Sequence, residues 1–303
     1  MFIFQTLLPI FAETVLPVFL VAAAGYLLAR SLVIDSRSLG RLLFYLATPS
    51  LVFRSLYRSQ LDFAALQRLA LVAISVVIFS GLLGWLVSSG EDRRRRAALI
   101  LTSAVSNNGN MGIPISFFAF GDTGLALGSI YYVVVSFLSN TFGVVIASAG
   151  QTPVAAALTQ SIRVPVLYSA TSGLLLNAMH LELPVFLFRA IDLLADAAIP
   201  GMLVLLGIQL QKAPLTRIPW VIFRSVAIRL VIGPLAAWGL CLLFAIGGSE
   251  RNVLILQSAM PTVVMAAVLA TEYETEPELV ATVILVSTLI SMVSLSMLLW
   301  LIM

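Results

Sequence analysis

The stretch SNNGNMGIPI, residues 106–115, decides the fold, because it places three asparagines, two glycines and a proline between apolar flanks. AALILTSAV precedes it and SFFAF follows it. Pro114 lacks an amide hydrogen and clashes with the preceding turn, and Gly109 and Gly112 weaken a helix further. We therefore predict a helix break near residues 106–114. Inside a membrane, such a break survives only where protein or a wet cavity surrounds it.

The rest of the chain is a succession of apolar runs. Of the 303 residues, 60 % are hydrophobic and 10 % charged, whereas soluble domains carry about 25 % charged residues. Runs of about 20 apolar residues are long enough to cross a bilayer, so we predict an all-α polytopic membrane protein. The ten predicted transmembrane spans are residues 10–30, 37–57, 66–89, 97–119, 124–148, 155–178, 185–209, 219–246, 251–271 and 278–302.

The distribution of basic residues predicts the orientation of the spans. With both termini outside, eleven basic residues fall in inner loops: Arg30, Arg37, Arg41, Arg93, Arg94, Arg95, Arg96, Arg163, Lys212, Arg217 and Arg224. Five fall in outer loops: Arg54, Arg58, Arg68, Arg189 and Arg251. Arg229 is ambiguous. Because cytoplasmic loops carry the excess of Lys and Arg, we place both termini outside. The same rule explains the net positive charge, so we expect no nucleic-acid partner.

The two halves of the chain resemble each other. RLLFYLATP, ending at Pro49, matches DLLADAAIP, ending at Pro200; LILTSA at 99–104 matches LILQSA at 254–259; VSFL at 135–138 matches VSTL at 286–289. Each half, residues 1–150 and 151–303, contains five predicted spans. An odd number inverts the second half relative to the first. We therefore predict the 5+5 inverted repeat of secondary transporters, which bind substrate near the midplane at discontinuous helices.

The counterpart of the break in span 4 is SAMPTVV in span 9, with Pro261. Two breaks at equivalent positions would cross, and each would offer a half-helix N-terminus with free N–H groups and a positive dipole end. These N-termini suit a small organic anion, and the free carbonyls opposite suit a cation. The alternative is a kinked helix whose amides only join neighbouring helices.

Further polar residues are candidates for the same site. We assign substrate binding to the residues of both breaks and to two amides in neighbouring spans: Asn107, Asn108, Asn110, Pro114, Asn140, Gln257, Pro261 and Thr262. For Asn140 and Gln257, a structural hydrogen bond is an open alternative. Asp196, one turn before Pro200, is the candidate for proton coupling, with simple solvation as its alternative.

Four of these stretches also carry a family resemblance. SNNGNMGIP, LATPSLVFRSL, AAIPGMLVLLGIQL and SAMPTVVMAAVLATEY together resemble the auxin efflux carrier family, which is related to the bile acid/sodium symporters. The resemblance implies a scaffold of spans 1, 2, 6 and 7, a transport domain of spans 3–5 and 8–10, and a homodimer formed through the scaffold. It places the crossover prolines at Pro114 and Pro261 and the substrate-contacting asparagines at Asn107, Asn108 and Asn110.

These observations predict a secondary active transporter in the plasma (inner) membrane. It would move a malonate-like, malate-like or auxin-like carboxylate by elevator-type alternating access. The sodium-coupled relatives use an acid in span 9, and residues 252–271 contain none, so we expect a proton in preference to sodium as coupling ion. With one histidine and no HExxH motif, we predict no catalytic residues, no metal site and no cofactor. The alternative function is a channel or a non-transporting membrane sensor.

Overall fold

Helices make up most of the chain in the computed structural model, which describes residues 7–148, 152–212 and 219–303. Within these ranges the only β-pairing is one isolated bridge between two residues, so the all-α prediction is confirmed. In chain order the helices are α1 (Leu7–Ser31), α2 (Ser36–Leu42, Leu43–Ala47 and Thr48–Tyr57 in succession), α3 (Phe63–Val87), α4 (Arg93–Ala104), α5 (Asn108–Ala147), α6 (Val154–Ile162), α7 (Pro165–Ala178), α8 (Val185–Gln211), α9 (Ile222–Leu243), α10 (Gly248–Ser258), α11 (Met265–Glu272) and α12 (Pro277–Ile302).

Six helices in the described ranges, α1, α3, α5, α8, α9 and α12, are long and apolar enough to cross a membrane. A single helix needs about 20 residues to cross. Helices α4, α10 and α11 contain 12, 11 and 8 residues, so none of them can cross alone. The predicted boundary between the two repeats at residue 150, and Arg217 of the predicted inner loops, lie outside the described residues.

Helix α5 folds back on itself at Gly121. Its 40 residues would extend about 60 Å if straight, twice the hydrocarbon thickness. Gly121 has φ 60° and ψ −148°, a conformation that glycine adopts readily. A Cβ placed on Gly128 would lie 3.3 Å from the Ser116 side chain, although residues twelve apart in a straight helix are about 18 Å apart. The first arm, residues 108–120, therefore runs back along the second arm, residues 122–147.

Four prolines in these helices follow a π-helical turn. The turns Phe11–Val15, Leu43–Ala47, Asn108–Gly112 and Ile228–Ile232 each end two residues before a proline: Pro17, Pro49, Pro114 and Pro234. Proline cannot donate to the carbonyl four residues earlier, and its ring crowds that carbonyl. A wider turn immediately before the proline relieves this crowding and lets the helix continue.

The start of α4 carries a charged cap. The Asp92 carboxylate accepts hydrogen bonds from the backbone N–H groups of Arg94, at 3.0 Å, and Arg95, at 3.2 Å. The hydrogen bond from the Arg95 backbone is the main reason that the pKa of Asp92 lies below its ordinary value of 3.8. Since the folded chain lowers this pKa, the cap stabilises α4 above that value and is lost only as the pH falls below it.

Candidate binding site where the two halves meet

The non-helical segments of the two halves pair with each other. Helix α4 ends at Ala104 and α5 begins at Asn108, while α10 ends at Ser258 and α11 begins at Met265. Between these helices, Ser106 and Thr262 form an antiparallel bridge. The backbone N–H of Asn107 donates to the Pro261 carbonyl at 2.7 Å, and that of Val263 donates to the Val105 carbonyl at 3.4 Å. Backbone groups that leave a helix are thus satisfied by the other half of the chain.

The non-helical part of the first segment is shorter than the predicted 106–114. The chain is helical again from Asn108, as a π-helical turn over Asn108–Gly112, and Pro114 stands at the start of the following α-helical stretch. The wider π-helical turn before Pro114 accommodates its ring and its missing N–H, so the helix continues through this proline. Pro114 therefore lies after the interruption, whereas Pro261 lies within the second one.

The side-chain amide of Gln257 joins the two halves. Asn108 donates through Nδ2 to the Gln257 backbone carbonyl at 2.7 Å and to its Oε1 at 2.8 Å. Gln257 Nε2 donates to Ser116 Oγ at 3.0 Å. A Cβ on Gly112 would lie 2.3 Å from Gln257 Oε1, and one on Gly128 2.8 Å from its Nε2. Glycine at these two positions is what lets the amide fit between the arms of α5.

Asn107 is the exception among these amides. The residue is only 1 % exposed, and neither its Oδ1 nor its Nδ2 has a hydrogen-bond partner in the part of the chain that the structure describes. Leaving a buried polar group without a partner costs about 1–3 kcal/mol. A side chain with one free donor and one free acceptor, in the pairing region of the two halves, is suited to a polar ligand.

The remaining predicted site residues have different surroundings. Thr262 Oγ1 donates to the Thr102 carbonyl at 2.8 Å, so it links α4 to the second segment. Asn110 is half-buried on the first turn of α5. Gly109 packs against Tyr132: a Cβ at this position would lie 2.7 Å from the tyrosine ring. Asn140 donates to the Ser136 carbonyl in its own helix, which is the structural alternative stated above.

Arg229 of α9 is a component of this region that the sequence patterns left unassigned. It is 1 % exposed. Its Nη1 donates to the Ser103 carbonyl at 3.2 Å, its Nη2 to the Ser258 carbonyl at 3.2 Å, and its Nε and Nη2 to the Met260 carbonyl at 3.3 Å. Ser103 and Ser258 occupy the same place in LILTSA and LILQSA. An arginine well inside an apolar span is a signal that could have found it.

A cleft of about 780 Å³ opens between α2, α8 and both arms of α5 near their bend. We call it the Arg54 cleft; its charged lining residues are Arg54, Arg58, Asp122 and Asp196. Arg54 Nη1 lies 2.5 Å from Asp196 Oδ1 and 3.3 Å from Asp192 Oδ1. Asp196 is thus ion-paired, and its side chain is 70 % exposed. Among the described residues, no group of three His, Cys, Asp or Glu side chains could hold a metal ion.

Apolar helices interrupted near a polar centre are typical of membrane transport proteins. The family model described as "Membrane transport protein" matches residues 10–157 and again residues 154–300. The chain therefore belongs to this family, that of the auxin efflux carriers, and is an integral membrane protein. Together the two matches cover nearly the whole chain, one in each half.

Three relatives show the breadth of this family. An uncharacterized transporter of Methanothermobacter thermautotrophicus is 28 % identical, with 93 % of this chain and 95 % of the relative covered. A Rhizobium meliloti protein named "Putative malonate transporter" is 29 % identical, with 95 % and 94 % covered. A rice (Oryza sativa subsp. japonica) "Probable auxin efflux carrier component 1c" is 26 % identical, with 43 % and 23 % covered. Transport is the activity named in all three.

Proposed function

We propose that this protein is a secondary active transporter of a small organic anion, a malonate-like or malate-like dicarboxylate or an auxin-like carboxylate. The observation that carries the proposal is the buried, unpartnered amide of Asn107. The amide belongs to the segment that pairs with the second half of the chain. An amide Nδ2 donates well to a carboxylate oxygen, and hydrogen bonds to charged groups are the stronger ones.

The charges around the paired segments favour an anion. The first arm of α5 and helix α11 both begin there, at Asn108 and Met265. A helix N-terminus carries roughly half a positive charge, and its first N–H groups are free to bind an anion. The C-termini of α4 and α10, which carry the opposite partial charge, are hydrogen-bonded to Arg229. The excess positive potential therefore lies on the side of the N-termini, where we place the carboxylate.

The architecture that we propose has ten spans in a 5+5 inverted repeat. Six spans are single helices: α1, α2, α3, α8, α9 and α12. The other four are α4 with the first arm of α5, the second arm of α5, α6 joined to α7, and α10 joined to α11. The first repeat is residues 1–150 and the second 151–303. Both termini face outside, and the membrane is the plasma (inner) membrane. The double family match and the reversal at Gly121 support this count.

Transport would proceed by an elevator movement. Spans 1, 2, 6 and 7 form the scaffold, through which two copies pair as a homodimer, and spans 3–5 and 8–10 carry the site. The Arg54 cleft supports this division, since it lies between α2 and α8, on the scaffold side, and the two arms of α5. Arg54 and Arg58 in this cleft would attract an anion on its way to Asn107.

Uptake into proteoliposomes tests the proposal. Labelled malonate, malate and indole-3-acetate would be offered with an inward proton gradient, a sodium gradient or neither. We expect concentrative uptake of one anion, driven by the proton gradient and lost in Asn107→Ala. Downhill movement alone would favour a channel, and no movement of any anion would favour a sensor; either result contradicts the proposal.

Asp196→Asn tests the coupling role of Asp196. In the proposed role, Asp196 binds a proton when it leaves Arg54 and releases the proton when the ion pair forms again. The variant should therefore show at least about tenfold less stimulation of uptake by a proton gradient, yet still exchange anion across the membrane. Asp122→Asn is the matched control, because Asp122 lines the same cleft. An Asp196→Asn variant whose uptake keeps the pH dependence of the unmodified protein would rule the role out.

A further inference from the structure

Arg229 is held entirely by backbone carbonyls. Its guanidinium donates to the carbonyls of Ser103, Ser258 and Met260. No carboxylate of the described residues lies within ion-pair distance of it. A buried charge is normally paired with an opposite charge or bound to a metal. Its counter-charge must therefore come from the helix ends.

The charges at these helix ends balance the guanidinium. Ser103 lies in the last turn of α4, and Ser258 is the last residue of α10. A helix C-terminus carries roughly half a negative charge, and its last carbonyls lack partners within the helix. Two such C-termini therefore supply about one negative charge. One guanidinium neutralises both ends and satisfies carbonyls on each of them.

We propose that Arg229 is a tethered cation: it permanently fills the carbonyl site in which an inorganic coupling cation would otherwise bind. Backbone carbonyl oxygens such as these three are ligands that hard cations accept, and here the chain itself supplies the cation. Transport and stability should therefore be independent of sodium and potassium. The part of this inference that concerns transport rests on the proposed function; the part that concerns the site does not.

The position of Arg229 connects this cation to the anion site. Met260, one of its acceptors, immediately precedes Pro261, whose carbonyl accepts the backbone N–H of Asn107. The guanidinium thus fixes the ends of both interrupted helices on one side of the paired segments. The side-chain amide of Asn107 itself has no hydrogen-bond partner among the described residues. The site would then bind one mobile charge, the anion, and no mobile cation.

Chemical rescue tests the tethered cation without any transport assay. The variant Arg229→Ala would be purified in detergent and its melting temperature measured in choline chloride, sodium chloride or guanidinium chloride, at equal concentrations of about 20 mM. We expect the variant to melt about 10 °C lower than the unmodified protein in choline. Guanidinium or sodium should restore at least about 3 °C of this loss, because each can refill the vacated carbonyls. The unmodified protein should respond to neither ion.

Arg224→Ala is the matched control, since Arg224 lies on the same helix and also donates to a backbone carbonyl, that of Val87, but is partly exposed. Its melting temperature should not respond to guanidinium. Rescue of Arg224→Ala to the same extent, or no rescue of folded Arg229→Ala by either cation, would overturn the proposal. Stabilisation of the unmodified protein by sodium would overturn it as well.

A second pair of variants covers the case in which Arg229→Ala does not accumulate. Arg229→Lys keeps a cation at this position, and Arg229→Gln keeps hydrogen-bond donors without the charge. We expect folded protein from the lysine variant at half or more of the normal yield and at least tenfold less from the glutamine variant. Equal yields and melting temperatures for the two would show that charge is not required. These measurements stand even if no organic anion is transported.

Discussion

Asn107→Ala is expected to abolish transport while leaving the stability of the protein unchanged or slightly higher. The buried amide has no hydrogen-bond partner in the described ranges of the chain, so its removal relieves a penalty of about 1–3 kcal/mol. The small cavity that it leaves costs a similar amount. A hydrogen bond from this amide to a carboxylate would contribute about 1.5–3 kcal/mol to binding, which corresponds to a loss of affinity of about 10- to 150-fold. Melting temperature and uptake, measured on the same preparation, check both parts.

Asn108→Ala is the matched control, because it removes the same side chain from the next position. Asn108 donates to both the backbone and the side chain of Gln257, and each of these bonds contributes about 1 kcal/mol. This variant should therefore lose stability as well as transport. If Asn107→Ala lowers the melting temperature as much as Asn108→Ala does, Asn107 has a structural role and the substrate contact lies elsewhere.

Gly207→Ala, which adds a single methyl group, is expected to destabilise the protein strongly. A Cβ at this position would lie 1.8 Å from the Ala22 carbonyl oxygen and 2.7 Å from the Tyr26 backbone nitrogen. Helices α1 and α8 pack there backbone to backbone, as membrane helices do where small residues meet. Neither contact atom can move without moving its helix. We expect a loss of about 3 kcal/mol or more, seen as a lower melting temperature and low yield.

Gly239→Ala separates this steric effect from the general consequence of replacing a glycine. Gly239 lies inside α9, and a Cβ there would meet no atom within 4 Å. Alanine favours a helix by about 1 kcal/mol over glycine, so this variant should be as stable as the unmodified protein or more so. A Gly207→Ala protein with a normal melting temperature would mean that α1 and α8 are not packed as closely as described.

The family and the helical fold follow from the sequence because they depend on features that are local. Apolar runs, the positions of prolines and the repeated LILTSA and LILQSA stretches can be recognised without knowing what lies across the protein. The predicted gap between the spans 97–119 and 124–148 contains Gly121, where α5 reverses its direction.

The roles of the three asparagines could not be separated from the sequence. They stand within four positions of each other and have identical chemistry, yet Asn108 binds Gln257, Asn107 has no partner and Asn110 is half-buried. The difference arises from the other half of the chain, about 150 positions away. For Arg229 the charge was visible in the sequence, but its carbonyl acceptors lie at the ends of α4 and α10 and in the non-helical segment after α10.

The bridge between Ser106 and Thr262 has a consequence for biogenesis. While the chain is being synthesised, residues 105–107 enter the membrane long before residues 261–263 exist. Their backbone groups have no partner during that interval, and unsatisfied groups in hydrocarbon cost several kcal/mol each. Until the second half is synthesised, residues 105–107 should therefore stay in contact with water or with the insertion machinery. Truncation before Pro261 should leave a chain that is recognised as incomplete and degraded.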